Sequence, residues 1–257
     1  MKKKFLSIKK LKNKKPIVCL TAYSNNIAKI LDRHCDIILV GDSLGNVLYG
    51  MKNTHKVSLD MMIRHAESVM LGVKKSLCVV DLPKNTYNDY INAKKNCREI
   101  LKKTNCHAIK IENYKNNHQI IKKIVSSGIQ VMGHIGYTPQ YYSKFKVVGK
   151  TKKEETQLIN DALKIEKAGA FSIVLECIPK NIAIKITNIL KIPTIGIGSS
   201  KNCDGQILVT DDLIGISGFK PRFVKRYSNL NKIIAKVTEK YKKDVINKKF
   251  PKNSNSY

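Results

Sequence analysis

Five apolar runs in this chain each lead into a polar residue that could do chemistry. In parallel α/β folds the C-terminal ends of the strands meet on one face, so residues that are distant in sequence converge there. Three or more carboxylates on such a face indicate a metal site, because oxygen ligands suit hard divalent cations. The polar residues that end or follow the runs are Asp42, Asp81, Glu112, His134 and Glu176.

Asp42 and Asp81 each allow two interpretations. Asp42 and Ser43 stand between Gly41 and Gly45, and glycines let a backbone turn sharply and approach a ligand. An Asp at a strand-to-helix turn is also a common helix cap, and Asp81 before Leu82 could cap a turn as easily as bind a metal. Each of the two signals is weak by itself.

Lys110 and Glu112 are two residues apart on a predicted strand, so their side chains should face one side of it. The pair could be a simple salt bridge inside a barrel. Burying such a pair is costly unless a site uses it, which favours a functional role. Glu176 follows a largely apolar run, and this desolvated setting favours a general base.

His134 is the one histidine predicted at a strand end between glycines, Gly133 and Gly136. It could orient a substrate or a metal-bound water, and a hydrogen-bonded core imidazole fits equally. The segment Gly196–Ser199 is neither a P-loop nor a dinucleotide fingerprint, since no Gly-Lys-Ser/Thr follows it. A nucleotide cofactor is therefore not indicated.

Strand-like runs alternate with helical patterns, which predicts a parallel sheet with crossover helices. Segment Ser58–Leu71 has helical spacing with Ser58 as N-cap, and Thr151–Ala168 opens on a capping box and stops at Gly169. Eight such units would close into a (β/α)₈ barrel. The predicted strands are Ile17–Thr21, Ile37–Val40, Leu77–Val80, Ala108–Ile111, Ile129–Gly133, Phe171–Leu175, Thr194–Gly198 and an eighth near Ile207–Val209 or Leu213–Ile216.

The length of 257 residues and the 42% hydrophobic content fit one α/β domain. We therefore expect a single barrel domain over 1–257, with a loose basic tail from about residue 242. No run approaches the roughly 20 apolar residues of a membrane helix, and the N-terminal apolar patch is too short for a signal peptide. Seven cysteines without a Cys-x-x-Cys pair argue against zinc and disulfides. These features predict a cytoplasmic protein without a membrane partner.

The net charge of +29 raises the question of nucleic-acid binding. Arginine forks make the commonest specific base contacts, yet arginines are few among the 48 basic residues. The lysines are dispersed without aromatic interleaving. We interpret them as a solvated coat that has no specific nucleic-acid partner and attracts polyanions only weakly and in a salt-sensitive way.

A series of motifs in order along the chain resembles the 3-methyl-2-oxobutanoate hydroxymethyltransferase (ketopantoate hydroxymethyltransferase) family. The resemblance runs from about residue 17 to Pro251. The motifs are Leu20-Thr-Ala-Tyr23, Leu39-Val-Gly-Asp-Ser-Leu-Gly45, Asp81-Leu-Pro83, Gly133-His-Ile-Gly136 with Thr138-Pro-Gln140, Val174-Leu-Glu-Cys-Ile-Pro179, Ile192-Pro-Thr-Ile-Gly-Ile-Gly198, Asp204-Gly-Gln-Ile-Leu-Val209 and Pro221-Arg-Phe-Val-Lys225.

The resemblance implies a (β/α)₈ barrel that binds one Mg²⁺ per subunit. It implies transfer of a hydroxymethyl group from 5,10-methylenetetrahydrofolate to 3-methyl-2-oxobutanoate, giving 2-dehydropantoate on the way to pantothenate, in a homo-oligomer that is often a decamer. By position, Asp42 and Asp81 match metal and substrate ligands, and Glu112 matches an acid that completes the metal site through water. Ser43 and Lys110 match residues that bind the oxoacid, and Glu176 matches the catalytic base.

The chain departs from the family pattern in three loops, at Lys84-Asn85, at Asn113-Tyr114 and at a shortened Tyr141–Gly149. These changes concern folate contacts more than metal or oxoacid contacts. The alternative is another Mg²⁺-dependent 2-oxoacid lyase or aldolase on the same barrel, which would keep the three acids without needing folate. A Schiff-base aldolase using Lys110 is a lesser alternative. A non-enzymatic basic binding protein would leave the acids without a role.

Overall fold

The strands form a closed, all-parallel barrel. The computed structural model describes residues 2–142 and 144–257. Each strand pairs with the next along the chain, and the last pairs with the first, which confirms the predicted (β/α)₈ barrel. The strands are β1 Ile17–Thr21, β2 Ile37–Val40, β3 Leu77–Asp81, β4 Ala108–Glu112, β5 Val131–Gly136, β6 Ser172–Glu176, β7 Thr194–Ile197 and β8 Gly205–Leu208.

The strand ends differ from the sequence prediction where a polar residue continues the pairing. Asp81, Glu112 and Glu176 are the last residues of their strands. The fifth strand begins and ends later than predicted, so His134 lies inside it, paired in register with Glu112. The eighth strand agrees with the prediction near Ile207–Val209, since Leu213 ends a helix instead.

Helices follow the strands at the expected places. Ser58 caps α4 by accepting a hydrogen bond from the Met61 amide, and Thr151 with Glu154 forms the predicted capping box of α7. Gly169, with a φ of +92°, follows the end of α7. The helices of the described residues are α1 Lys2–Leu11, α2 Asn25–Leu31, α3 Leu44–Val47, α4 Leu59–Gly72, α5 Tyr90–Thr104, α6 Asn117–Ser126, α7 Lys152–Lys167, α8 Lys180–Ile189, α9 Thr210–Leu213 and α10 Leu230–Ile246.

Two apolar clusters support the barrel. Alternation along β2 sends Ile37 and Leu39 to the inner cluster, and Ile38 and Val40 to the outer cluster between strands and helices. Ile8 of α1 joins the inner cluster, so this helix packs on barrel residues. The inner cluster lies beneath the polar residues at the C-terminal ends of the strands and closes the barrel interior with apolar side chains.

The chain divides into two compact units, Met1–Val209 and Thr210–Tyr257. The first contains the barrel strands. The second contains α9 and α10, and the Arg226 guanidinium within it donates hydrogen bonds to the carbonyls of Ser217 and Phe219. The helix α10 continues to Ile246, so the tail predicted from about residue 242 begins within a helix. The assignment of a single domain stays a prediction. Among the described residues, no helix has the length and apolar character needed to span a membrane.

Asp32 at the end of α2 anchors the loop before β3. Its carboxylate accepts hydrogen bonds from the backbone amides of Ser76 at 2.8 Å, Lys75 at 3.0 Å and Lys74 at 3.0 Å. Burial acts to raise the pKa of Asp32, but these amides bring that pKa below its ordinary value.

We expect Asp32→Asn to lower the free energy of unfolding by about 1–3 kcal/mol at pH 7, because hydrogen bonds to a charged acceptor are lost. Since the folded-state pKa is lowered, the stabilisation exists above about pH 4 and is lost as pH falls through the folded pKa. Urea unfolding at pH 7 and pH 3 measures both effects, with exposed Asp60→Asn as the control. Equal stability of wild type and Asp32→Asn at pH 7 would contradict this assignment.

Candidate active site

Asp42 and Asp81 are brought together where β2 and β3 end. Both residues are buried, with 5% and 2% exposure. The Asp42 amide donates a hydrogen bond of 3.1 Å to Asp81 Oδ2, so the turn after β2 is tied to the last residue of β3. Burial, Asp81 and Glu112 together raise the pKa of Asp42 to about 8, although Lys110 and Gln140 act to lower it.

Lys110 supplies the ammonium of this cluster. Its Nζ lies 3.0 Å from Asp81 Oδ1, and the register of β3 with β4 places the two residues side by side. Lys110 therefore forms its ion pair with Asp81 on the neighbouring strand. In the described part of the chain it forms none with Glu112 on its own strand. Burial acts to lower the pKa of Lys110, but Asp81, Glu112 and Asp42 raise it above its ordinary value, so the side chain is charged at neutral pH.

His134 lies between two carboxylates. Its Nδ1 is 3.6 Å from Glu112 Oε1 and its Nε2 is 3.2 Å from Glu176 Oε2. Burial and nearby Lys110 act to lower the pKa of His134, but the two glutamates raise it to about 9. An imidazolium here would balance the charge of its two neighbours and hold them at a fixed separation.

Glu176 is the most accessible acid of the group. Its side chain is 16% exposed, whereas that of Glu112 is 1% exposed. Gly136, with a φ of +97°, allows the close approach of β5, because a Cβ there would lie 2.1 Å from the Glu176 carbonyl oxygen. The adjacent Tyr137 amide donates to that oxygen at 2.8 Å. The backbone of Glu176 is thus held in place while its carboxylate stays accessible, as a general base requires.

The donor set suits a hard divalent cation held by few protein ligands. Three carboxylates, those of Asp42, Asp81 and Glu112, face one lysine, and Asp81 Oδ1 is buried with no hydrogen bond beyond its ion pair. Within the described chain no three His, Cys, Asp or Glu side chains form a complete protein-only metal site. Mg²⁺ fits this arrangement, since it is usually bound by one or two carboxylates together with water and substrate oxygens.

Tyr23 and Gln140 were not predicted as site residues. Tyr23 shares a hydrogen bond of 2.8 Å with Ser43, and it stands two residues beyond β1, as Asp42 stands two residues beyond β2. That shared offset is the sequence signal that could have identified it. Gln140 donates to Asp42 Oδ2 at 2.9 Å from the loop after β5, and no spacing rule points to it.

The predicted site residues form one connected group. Contacts lead from Asp42 to Asp81 and Lys110, then through His134 to Glu112 and Glu176. Ser43 adjoins Asp42 and contacts Tyr23. The arrangement has an acidic end suited to a cation and an accessible carboxylate suited to proton transfer.

Comparison with known protein families gives a match over nearly the whole chain. The model of the family described as ketopantoate hydroxymethyltransferase matches residues 2–253. A protein of Pelagibacter ubique named 3-methyl-2-oxobutanoate hydroxymethyltransferase is 55% identical over 257 residues, covering 100% of both chains. A protein of Rhizobium etli with the same name is 46% identical, over 95% of this chain and 91% of its own.

Solved structures with the same architecture are more distant in sequence. A 2,3-dimethylmalate lyase of the PEP mutase/isocitrate lyase superfamily aligns with a TM-score of 0.61 at 12% identity, over 99% of this chain and 92% of the lyase. A phosphonopyruvate hydrolase crystallised with oxalate and Mg²⁺ gives a TM-score of 0.61 at 10% identity, over 98% and 93% of the two chains. At these identities the likeness establishes the fold alone.

Proposed function

The chain belongs to the ketopantoate hydroxymethyltransferase family, and we propose that it transfers a hydroxymethyl group from 5,10-methylenetetrahydrofolate to 3-methyl-2-oxobutanoate. The product is 2-dehydropantoate, and the step leads towards pantothenate. Water completes the balance, since the donated methylene carbon becomes a CH₂OH group. The observation that carries the proposal is the contact series from Asp81 through Lys110 and His134 to Glu176, which joins a cation-binding end to an accessible base.

Asp42 and Asp81 would hold one Mg²⁺. Glu112 would act through a water molecule, because its two oxygens already face His134 Nδ1 at 3.6 Å and the Gln140 amide at 3.2 Å. The ion would supply electrostatic stabilisation of the negative charge that develops on the ketone oxygen of the substrate.

The protein residues provide binding and proton transfer. Ser43 and Lys110 bind the oxoacid, and the lysine offsets its negative charge. Glu176 removes the proton from C3, and His134 keeps the Glu176 carboxylate in place.

The carbanion equivalent at C3 then forms a C–C bond to the methylene carbon of the folate. Both C–N bonds of that carbon break in the overall reaction, water supplies the oxygen of the CH₂OH group, and tetrahydrofolate leaves. The burial of Asp42, Asp81 and Glu112 limits the access of bulk water to these acids.

The alternative of a folate-independent 2-oxoacid lyase or aldolase receives no support from the named relatives. The lyase and the hydrolase in the structural comparison share only the fold, at 12% and 10% identity. Lys110 is engaged with Asp81, which does not favour a Schiff-base role for it.

We also propose that the protein acts in the cytoplasm as a homo-oligomer, a decamer by the resemblance. The helix α10 supports assembly, because it presents an exposed apolar stripe of Ile233, Ile234, Val237 and Tyr241. Continuous exposed apolar surface of this kind marks contact sites. Sedimentation velocity of the purified chain distinguishes a decamer from a monomer.

The test of the proposed function separates its two half-reactions. We expect the wild-type protein with Mg²⁺ to exchange the C3 proton of 3-methyl-2-oxobutanoate for deuterium without folate, and the exchange to fall by at least 100-fold when EDTA removes the metal. NMR follows the exchange. Adding 5,10-methylenetetrahydrofolate should then yield 2-dehydropantoate.

Exchange that is independent of metal would contradict the role given to Asp42 and Asp81. Metal-dependent exchange without product formation would leave the folate-independent alternative as the better function.

A further inference from the structure

Gln140 connects the ends of three strands. The residue is 1% exposed and lies in the loop after β5. Its side-chain Nε2 donates hydrogen bonds of 2.9 Å to both Asp42 Oδ2 and the Leu82 carbonyl, and its backbone amide donates to Glu112 Oε2 at 3.2 Å. One residue from a loop therefore contacts two of the three clustered carboxylates.

The orientation of the Gln140 side-chain amide decides whether its NH₂ donor or its carbonyl acceptor faces Asp42. A primary amide has a donor end and an acceptor end of almost equal size, and a half-turn exchanges them. In the exchanged orientation Oε1 would face the Leu82 carbonyl, which can only accept, and Oδ2 of Asp42 in the ionised form that a cation requires. No proton would then lie between these oxygens, and the contact would be repulsive.

Tyr87 completes the hydrogen bonding of the favourable orientation. Its hydroxyl donates a hydrogen bond to Gln140 Oε1, and its side chain is 1% exposed in the segment between β3 and α5. A hydroxyl can donate or accept, so the orientation is set by the Leu82 carbonyl, which can only accept, and the Tyr87 hydroxyl supplies the donor that Oε1 then needs. In this orientation Gln140 presents a proton to Asp42, and removal of the Tyr87 hydroxyl would leave the buried Oε1 without the donor that Tyr87 supplies.

Asp42 is left with one oxygen for a ligand. Oδ2 is occupied by Gln140, whereas Oδ1 forms no hydrogen bond with any residue that the structure describes. We propose that Tyr87 and Gln140 are positioning residues that act in series to orient the Asp42 carboxylate, so that Oδ1 points to a bound divalent cation. The inference rests on the proposed function only for the identity of that ligand.

Mn²⁺ binding tests directly whether Tyr87 acts through Gln140 on Asp42. The EPR signal of the free ion measures this binding. We expect Gln140→Leu to weaken Mn²⁺ binding about 10–100-fold, as is usual when a residue that orients a metal ligand is removed. Tyr87→Phe keeps the ring and removes only the hydroxyl, and it should weaken binding about 10-fold. The double variant should bind no more weakly than Gln140→Leu alone, because Tyr87 acts through Gln140.

Two measurements separate positioning from damage to the fold. Raising the Mg²⁺ concentration should restore the C3 exchange rate of Tyr87→Phe to within about twofold of wild type, which an unfolded or misfolded protein would not show. The control is Tyr90→Phe, whose ring lies against Lys94 and Lys123 and whose hydroxyl forms no hydrogen bond within the described residues. This variant should bind Mn²⁺ as wild type does.

Wild-type Mn²⁺ affinity in Tyr87→Phe, or additive losses in the double variant, would overturn the inference while the proposed function stands. A wild-type protein that binds no Mn²⁺ would overturn both the inference and the metal site of the proposed function.

Discussion

Glu176→Gln lowers the rate of C3 proton exchange in 3-methyl-2-oxobutanoate by about 10²- to 10⁴-fold, the range expected when a general base is removed. Glutamine has the same shape but cannot accept the proton. The oxoacid contacts assigned to Ser43 and Lys110 remain, so the KM of the oxoacid should change by less than about threefold. The loss is therefore expected in kcat.

The NMR exchange assay at saturating Mg²⁺ measures this loss. Glu155→Gln is the matched control, since Glu155 forms ion pairs with Lys152 and Lys185 on the outer helices and takes no part in the site. It should retain the wild-type rate. An exchange rate in Glu176→Gln within tenfold of wild type would assign the base to another residue.

Lys110→Met destabilises the protein by about 3–5 kcal/mol, as is usual when one partner of a buried ion pair is removed. Methionine fills a similar volume, so the main change is electrostatic. Asp42, Asp81 and Glu112 would be left without their ammonium in a site that is almost fully buried. Because the pKa of Lys110 is raised, its contribution to stability is fully present at neutral pH and is lost only in strongly alkaline solution.

Urea unfolding at pH 7 measures the loss, and Lys103→Met provides a matched comparison. Lys103 Nζ lies 2.8 Å from Glu99 Oε1, but that pair is exposed, so its removal should cost at most about 0.5 kcal/mol. Equal losses in the two variants would show that the Lys110 pair does not behave as a buried one. Lys110→Met should also abolish detectable oxoacid binding in calorimetry.

The barrel was predictable from the order of apolar runs and helical patterns. Ser58 and Thr151 start helices where their capping patterns predicted, because a cap depends on residues three positions apart. The convergence of Asp42, Asp81, Glu112 and Glu176 also followed from sequence, since parallel strands end on one face.

The contacts among these residues were not predictable in the same way. Lys110 and Glu112 were expected to face one space, and both lie beside His134 Nδ1, but the ion pair of Lys110 is with Asp81 on the adjacent strand. His134 was expected after its strand and lies inside it, level with Glu112. Inter-strand register decided both outcomes, and periodicity within one strand carries no information about register.

The sequence by itself determined the fold class, the family and the set of acids that meet at the C-terminal strand ends, because these depend on local periodicity and on motifs. Only the tertiary structure decided which acid pairs with Lys110, which glutamates flank His134, and that Tyr87 and Gln140 reach Asp42. Those contacts depend on register and on loop paths, where residues 53 positions apart, such as Tyr87 and Gln140, become neighbours through the packing of the whole barrel.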